Sequence, residues 1–371
     1  MAEVTGVQTE RPQFQKPQIN LARPTAVRMW LVSFCALIVI MQSSLGDSFS
    51  SLLVAIGALA GAVVSEMFIL FYSRKPGSLK DGSAVASALI LALLLPNRIS
   101  PAFAAAGAIF AMVVVKHSFG GLGSNWLNPA AGGWLFIRFS WPHAFRSALE
   151  NSPLSLITES VNNGSANAQG SPLEILKTDF PGFFANATTV DKGISSFLNN
   201  TVFSLTGAVL PEGYLDLFVS RLPGIIADRG GLALLIGTII ITASQVNRSW
   251  IPAVYLVVFC FLVRVFGALP YGGSLGEGDI FFTLCTGGAL VVAFILAADP
   301  STSAKSNWGI LIATVTAAAL AFVFRFAGAE TYGGIFAVIF INACLPLFRI
   351  FESWRFYGTR RTGAPSSKWV N

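Results

Sequence analysis

The feature that most constrains this chain is a series of long apolar segments separated mainly by short loops. An α-helix needs about 20 mostly apolar residues to cross a bilayer, or fewer where it is broken or shielded by its neighbours. Ten such segments lie near 27–46, 51–73, 82–96, 102–116, 130–147, 231–246, 250–268, 279–298, 308–326 and 332–350. Only 11% of the residues are charged, against about a quarter in soluble domains. The sequence therefore predicts an all-α polytopic membrane protein with about ten transmembrane helices.

Charged residues in the loops predict the orientation. Basic residues of the loops on one side are Arg11, Lys16, Arg23, Arg28, Arg74, Lys75, Lys80, Lys116, Arg248, Lys305, Arg355, Arg360, Arg361 and Lys368. The opposite loops carry Asp47, Glu277, Asp279 and Glu330, with Arg98 as an exception. Because Lys and Arg accumulate on the cytoplasmic side, we expect both the tail 1–26 and the tail 351–371 to be cytoplasmic.

One loop, residues 148–230, is long and polar, and it falls outside the membrane in this topology. It separates five segments in 27–147 from five in 231–350. The third segment, DGSAVASALILALLLPN from Asp81, resembles the eighth, CTGGALVVAFILAADP from Cys285. An odd number of spans in each half predicts two inverted five-helix halves, in which interrupted helices at matching positions form a binding site near the midplane. The other interpretation is that any two apolar segments look alike.

Five ordered motifs carry a family resemblance. They are KHSFGGLGSNWLNPAAGG from Lys116, LKDGSAVASALILALLLP, LDLFVSRLPG at 215–224, AADPSTSA at 297–304 and FINACLPLF at 340–348. Together they resemble the D subunit of Rnf ion-translocating electron-transport complexes, which is related to the B subunit of the Na⁺-translocating NADH:quinone oxidoreductase. Motifs recur from about residue 17 to about residue 350.

This resemblance implies a membrane subunit of an oxidoreductase that couples electron transfer between ferredoxin and NAD to Na⁺ or H⁺ translocation. It implies that the protein lies in the bacterial cytoplasmic membrane, in contact with membrane lipid and with other Rnf-type subunits. It implies no nucleic-acid partner. The chain alone has no complete active site and no catalytic residue that we can name. Ferredoxin, NADH and iron–sulfur clusters are expected to belong to partner subunits.

The resemblance also implies flavin. Family members carry FMN joined through its phosphate to a Thr in an extracytoplasmic motif like D-x-x-[ST]-x-A-T-P-L, where a flavin transferase attaches it. The matching stretch here is SANAQGSPLEILK from Ser165, so that Ser171 stands at the acceptor position, Gly170 replaces Ala and Ser165 replaces Asp. Ser171 is therefore the candidate covalent FMN acceptor, with an ordinary turn before Pro172 as the alternative. Thr158 is a second candidate without the Pro-Leu flank.

The Gly-rich motif supplies further candidates for flavin binding. Gly120, Gly121 and Gly123 allow a backbone to approach a ligand or a neighbouring helix closely. Asn125 and Asn128 either bind the edge of a second, non-covalent flavin or satisfy freed backbone groups.

Two carboxylates within the apolar segments are candidates for an ion pathway. Glu66 lies in the second segment, where a charge costs about 2.5–3.5 kcal/mol on insertion scales. We expect it to face Arg138, Arg264 or Arg325 in a structural ion pair, or else to be a station on an ion pathway or a contact to a bound flavin. Asp299 either caps a helix or coordinates a small cation through oxygen.

The four Cys, Cys35, Cys260, Cys285 and Cys344, stand singly in apolar runs, so no metal site is expected. Two other functions stay open beside that of a flavin-carrying redox subunit. One is a transporter or channel with the same helical halves. The other is a scaffold without covalent flavin, which the altered acceptor motif favours.

Overall fold

We describe a computed structural model of the chain, covering residues 25–45, 48–73, 78–118, 120–121, 125–162, 172–179, 188–201, 203–205, 210–219, 223–304, 306–327 and 331–357. In these residues the regular structure is helical, apart from one isolated bridge between Pro96 and Ile225. The prediction of an all-α polytopic protein is confirmed.

The helices before the long loop are α1 Thr25–Leu45, α2 Ser50–Ser73, α3 Ser83–Leu94, α4 Pro101–Phe110, α5 Pro129–Ser140 and α6 Pro142–Ala148. A π-helix, Ala111–His117, continues α4. The segment predicted at 130–147 is two helices, because Pro142 cannot continue the hydrogen bonds of α5.

The long loop contains α7 Pro153–Asn162, α8 Pro172–Asp179, α9 Thr189–Thr201, α10 Tyr214–Phe218 and α11 Ile226–Arg229. Behind it come α12 Gly231–Ala243, α13 Trp250–Phe266, α14 Ile280–Cys285, α15 Ala289–Val291 with a π-helix Val292–Leu296, α16 Asn307–Phe326 and α17 Gly333–Tyr357. Every predicted apolar segment thus corresponds to helix.

Four helical stretches in the described part are long and apolar enough to cross a membrane: Thr25–Leu45, Ser50–Tyr72, Trp250–Tyr271 and Asn307–Phe326. Shorter apolar helices lie between them. Among these, α3 is buried along most of its length, and Leu91, Leu93 and Leu94 have no exposed surface. Because other parts of the protein, rather than lipid, cover most of its apolar surface, α3 belongs to the centre of the molecule.

The α2–α4 contact depends on two glycines one helical turn apart. A Cβ on Gly57 would lie 2.4 Å from the Pro101 carbonyl oxygen, and one on Gly61 would lie 2.4 Å from that of Ala105. Small residues spaced by four let two membrane helices approach at backbone distance. The α2–α4 pair is therefore one of the tightest helix contacts in the protein.

The two halves share local features. The third helix of the first half, α3, begins after Gly82, and α15 begins after Gly288; both glycines have a φ of 71°, in the left-handed region. In addition, α2 packs against α4 as α13 packs against α16. These features match the predicted repeat, and the opposite orientation of the halves remains a prediction.

Helices of the long loop form a cap with its own small core. Leu154 and Ile157 of α7, Leu173 and Leu176 of α8 and Leu217 of α10 pack together with Phe282 of α14. The Tyr214 hydroxyl donates a hydrogen bond of 2.5 Å to Asp279, at the start of α14. Burial, together with the charge of Asp279, raises the pKa of Tyr214 above its usual value. The cap is therefore fixed to the membrane helices.

Candidate functional site

A cavity of about 300 Å³ lies between the two halves. Its apolar wall is formed by α1, α3, the end of α12 and the π-helix at 292–296, with residues such as Val32, Ile90 and Ile295. Its polar lining residues include Arg28, Ser83, Lys116, Asn125, Asn128, Asn247, Asp299 and Ser301. A mostly apolar pocket with a few convergent polar groups is typical of a small-molecule site.

Two polar atoms at this cavity are buried without a hydrogen-bond partner among the described residues. They are Nε of Arg28 and Oδ1 of Asn125, and the Asn125 side chain is only 7% exposed. A buried polar atom without a partner costs about 1–3 kcal/mol. A bound ligand that offers a donor and an acceptor would remove that cost.

Glu66 lies beside the cavity in a fully buried ion pair. The Lys116 Nζ donates to Glu66 Oε1 at 2.9 Å, and His117 Nε2 lies 2.7 Å from Glu66 Oε2. The exposed fractions of the Glu66 and Lys116 side chains are 0% and 2%. Lys116 Nζ also donates to Ser83 Oγ at 2.8 Å. The continuation of α4 as a π-helix carries Lys116 and His117 to Glu66.

This arrangement corrects two expectations. Lys116 is not an exposed loop cation, because it stands at the end of the π-helix with its ammonium against the buried carboxylate of Glu66. The partner of Glu66 is also not one of the three arginines. The Arg138 guanidinium carbon lies 5.5 Å from the centre of the Phe145 ring. Arg264 donates a hydrogen bond to the Gly278 carbonyl oxygen. Arg325 donates hydrogen bonds at a break between two short helices.

Asn128 and Asp299 join the two halves at the cavity wall. Asn128 Oδ1 accepts from the backbone N–H of Ala130 and Ala131, so this side chain caps α5. Asn128 Nδ2 donates to Asp299 Oδ2 at 2.6 Å. Asp299 accepts from the N–H and the hydroxyl of Ser301, at 2.9 Å each, and caps the short 3₁₀-helix Pro300–Thr302. Asp299 thus caps a helix and Asn128 satisfies free backbone N–H groups, while cation binding at Asp299 and flavin contact at Asn128 stay predictions.

The glycines of the motif end the π-helix. Gly120 N–H donates to the His117 carbonyl and Gly121 N–H to the Lys116 carbonyl. Their φ angles are 110° and 94°, which favour glycine, and neither residue lines the cavity. Gly123 and Ser171 lie outside the described residues. Pro172, directly after Ser171, begins α8.

A second polar centre stabilises the break between α14 and α15. Arg325 of α16 donates to the carbonyl oxygens of Thr283 and Thr286, at 2.9 and 2.7 Å, and to Thr286 Oγ1 at 2.6 Å. Asp228 of α11 accepts from Gly288 N–H at 2.9 Å. The Arg325 cation thus lies at the carboxyl end of α14, and the Asp228 anion lies at the amino end of α15. The helix dipole favours both arrangements.

This centre is not apparent from the sequence. Asp228 looks like one of many acids in a polar loop, and only the Gly287–Gly288 pair in the eighth segment is a local signal of the break. Both glycines have a φ near 70°, which interrupts the helix.

The apolar helices, the helix breaks inside them and the polar cavity between two similar halves define an integral membrane protein of polytopic helical architecture. Sequence comparison gives the family. The chain belongs to the NQR2, RnfD, RnfE family, whose profile matches residues 13–358. The resemblance inferred from the ordered motifs is confirmed.

The curated relatives are similar over nearly their whole length. The D subunit of the proton-translocating ferredoxin:NAD(+) oxidoreductase complex of Clostridium ljungdahlii is 28% identical over 347 residues, which cover 93% of this chain and 95% of the relative. The D subunit of the ion-translocating oxidoreductase complex of Vibrio cholerae is 29% identical, covering 92% and 97%. The D subunit of the Na(+)-translocating ferredoxin:NAD(+) oxidoreductase complex of Acetobacterium woodii is 25% identical, covering 83% of each chain.

Proposed function

We propose that this chain is the membrane-embedded D subunit of an Rnf-type complex that couples electron transfer between ferredoxin and NAD to Na⁺ or H⁺ translocation. The observation that carries the proposal is near full-length similarity to relatives that are named as the D subunit of such complexes. Since a proton-translocating and a Na(+)-translocating relative are both similar, we leave the ion open. The bacterial cytoplasmic membrane, with both termini inside, is the proposed location.

The cavity is the proposed site of a non-covalent flavin. A flavin supplies a reversible electron acceptor, and its ring edge has hydrogen-bond donors and acceptors side by side. The unpartnered Arg28 Nε and Asn125 Oδ1 offer one donor and one acceptor, and the apolar wall suits a planar ring. The residues present therefore fit the group, with Asn125 as the amide contact, Asn128 beside it in the cavity wall and Lys116 as the nearby cation.

Covalent FMN on Ser171 is the second part of the proposal. A Ser hydroxyl provides the oxygen that a phosphoester needs, and a flavin transferase is the maturation partner. Leu173, Ile175 and Leu176, just beyond the acceptor, are each at most 2% exposed. The cap core would thus hold the acceptor segment in place, and the amino end of α8 favours a phosphate. Glu174 in the same turn is exposed to solvent, which weakens its repulsion of that phosphate.

A denaturing gel viewed for flavin fluorescence tests the covalent site. We expect a fluorescent band for the unaltered chain and none for Ser171→Ala. Thr158→Ala is the matched control, because the Thr158 hydroxyl already donates to the Leu154 carbonyl at 2.8 Å within α7. A band that stays fluorescent in Ser171→Ala and darkens in Thr158→Ala would move the acceptor to Thr158. A dark band throughout would favour the scaffold function.

Glu66 is the proposed station for the translocated ion. It is fully buried, yet His117, which is 20% exposed, connects its carboxylate with the surface. Glu66→Gln should reduce ion translocation into proteoliposomes more than electron transfer by the same complex. Equal reduction of both, together with loss of assembly, would show that Glu66 only holds helices together. Asp299 is a weaker candidate, since several protein donors already occupy its carboxylate.

A further inference from the structure

Lys116 is shared between the buried carboxylate and the cavity. Its ammonium is bonded to Glu66 Oε1 at 2.9 Å, and its side chain is also part of the cavity wall. Glu66 itself does not line the cavity. Lys116 is therefore the group through which a charge in the cavity acts most directly on Glu66.

The hydrogen bonds of Lys116 leave it able to turn toward a ligand. An ammonium has three N–H donors, and the described bonds to Glu66 and Ser83 use two of them. Ser83 also lines the cavity, so the bond to Ser83 holds Nζ at the cavity side. The third N–H can make the first contact with an occupant, after which Nζ can shift toward the occupant and away from Glu66 Oε1.

Other charged groups lie near the Lys116–Glu66 pair. Arg28 of α1 and Asp299 face the same cavity. The short 3₁₀-helix Ser78–Asp81 brings the carboxylate of Asp81, which accepts from Ser83 N–H at 2.8 Å, and the exposed Lys80. His117 contacts the other carboxylate oxygen of Glu66, Oε2.

We infer that Lys116 couples the charge of the cavity occupant to cation binding at Glu66. The inference rests on the proposed flavin in the cavity. A flavin bound there would supply one-electron acceptance from an iron–sulfur donor of a partner subunit, which would add one negative charge to the cavity. The Lys116 ammonium would then donate its hydrogen bond toward the cavity in place of Glu66 Oε1, and Glu66 would take up one monovalent cation, H⁺ or Na⁺. The total charge inside the membrane is the same before and after, and reoxidation reverses both steps.

The physical basis is the strength of charge interactions in a buried site. Neither Glu66 nor Lys116 is screened by water, so a new negative charge at the cavity competes directly with Glu66 for the ammonium. Glu66 keeps the His117 contact when Lys116 turns away, and a cation replaces the lost partner. Because linkage is reciprocal, the cation concentration must in turn shift the midpoint potential of the flavin.

The test is an electrochemical titration of the purified full-length chain in a Ser171→Ala background, which leaves the non-covalent flavin. The midpoint potential is measured against Na⁺ concentration at fixed pH and against pH at fixed Na⁺. The potential of the background protein should rise with the concentration of the coupled cation. In Lys116→Met the midpoint potential should no longer depend on the Na⁺ concentration. Its dependence on pH should be reduced to that of free flavin. Lys80→Met is the control, because it removes an exposed lysine just before the start of α3. It should retain the full dependence of the midpoint potential on the cation.

A double variant separates the coupling from a general effect of charge. Glu66→Gln should abolish the dependence as Lys116→Met does, and the double variant Glu66→Gln/Lys116→Gln should show no additional change. The double variant removes both charges of the buried pair. Its midpoint potential can therefore be measured even if Lys116→Met does not accumulate in the membrane. Full cation dependence in Lys116→Met, or in the double variant, would overturn the inference while leaving the flavin site intact. A purified chain that releases no flavin would overturn the cavity assignment and the inference with it.

Discussion

At Glu66, the buried carboxylate is stabilised by two neighbours from one short π-helix. A π-helix is rare and often marks a functional site. Here it rotates Lys116 and His117 so that both reach the same carboxylate.

Removing the ammonium should destabilise the protein strongly. Lys116→Met leaves an unneutralised carboxylate in the interior, and breaking a buried pair costs about 3–5 kcal/mol. We expect a lower midpoint of thermal unfolding in detergent than for Lys80→Met, and partial recovery in Glu66→Gln/Lys116→Gln. If Lys116→Met and Lys80→Met unfolded at the same temperature, the buried ion pair would have no structural role.

Gly287 is required by both its backbone and its surroundings. Its φ is 69°, and a Cβ there would lie 2.7 Å from Arg325 Nη1 and 2.9 Å from the Thr331 carbonyl oxygen. Gly287→Ala should therefore lower the unfolding midpoint by more than Gly276→Ala, since Gly276 has a φ of 87° but open space around it. Backbone strain is common to both variants, so the difference measures the contact with Arg325. Equal effects would mean that Arg325 moves aside freely.

At the scale of elements, the α2–α4 pair shows how close packing is encoded. The GALAG run at 57–61 is a small-residue pattern that could have identified this contact from the sequence, because it predicts backbone approach. The pattern does not identify the partner helix, which the structure shows to be α4.

A large side chain in this contact should separate the two helices. Gly61→Leu places several carbon atoms where a Cβ alone would be 2.4 Å from the Ala105 carbonyl oxygen. We expect low accumulation in the membrane and a lower unfolding midpoint. Val64→Leu on the exposed face of the same helix, where Val64 is 63% exposed, is the control and should behave like the unaltered chain. An unaffected Gly61→Leu would rule out the tight contact.

The cap should fail as a unit when its core is opened. Leu176 has no exposed surface, and Leu→Ala in a core costs about 2–5 kcal/mol. We expect Leu176→Ala to make the loop more sensitive to limited proteolysis, while a change at the exposed Glu174, Glu174→Ala, leaves the cleavage rate of the loop unchanged. Identical cleavage rates would show that α8 does not depend on the cap core.

For the whole molecule, the class of protein and its family followed from apolar segment length and ordered motifs, since both are local properties of the chain. The cavity did not, because it combines Arg28 of α1 with Asn125, Asn128 and Asp299 from both halves. The burial of Lys116 also does not follow from the sequence, because it depends on a contact with Glu66, which lies 50 positions earlier in the chain. Long-range contacts such as Asn128–Asp299 have no local signal.

The central claim is that this membrane subunit carries flavin in two places, the cavity and the cap. The most direct measurement is the flavin content per purified full-length chain, divided by acid precipitation into a released and a retained fraction. The account predicts about one flavin in each fraction, with the retained flavin absent from Ser171→Ala and the released flavin still present. A purified, folded chain with no flavin in either fraction would contradict it.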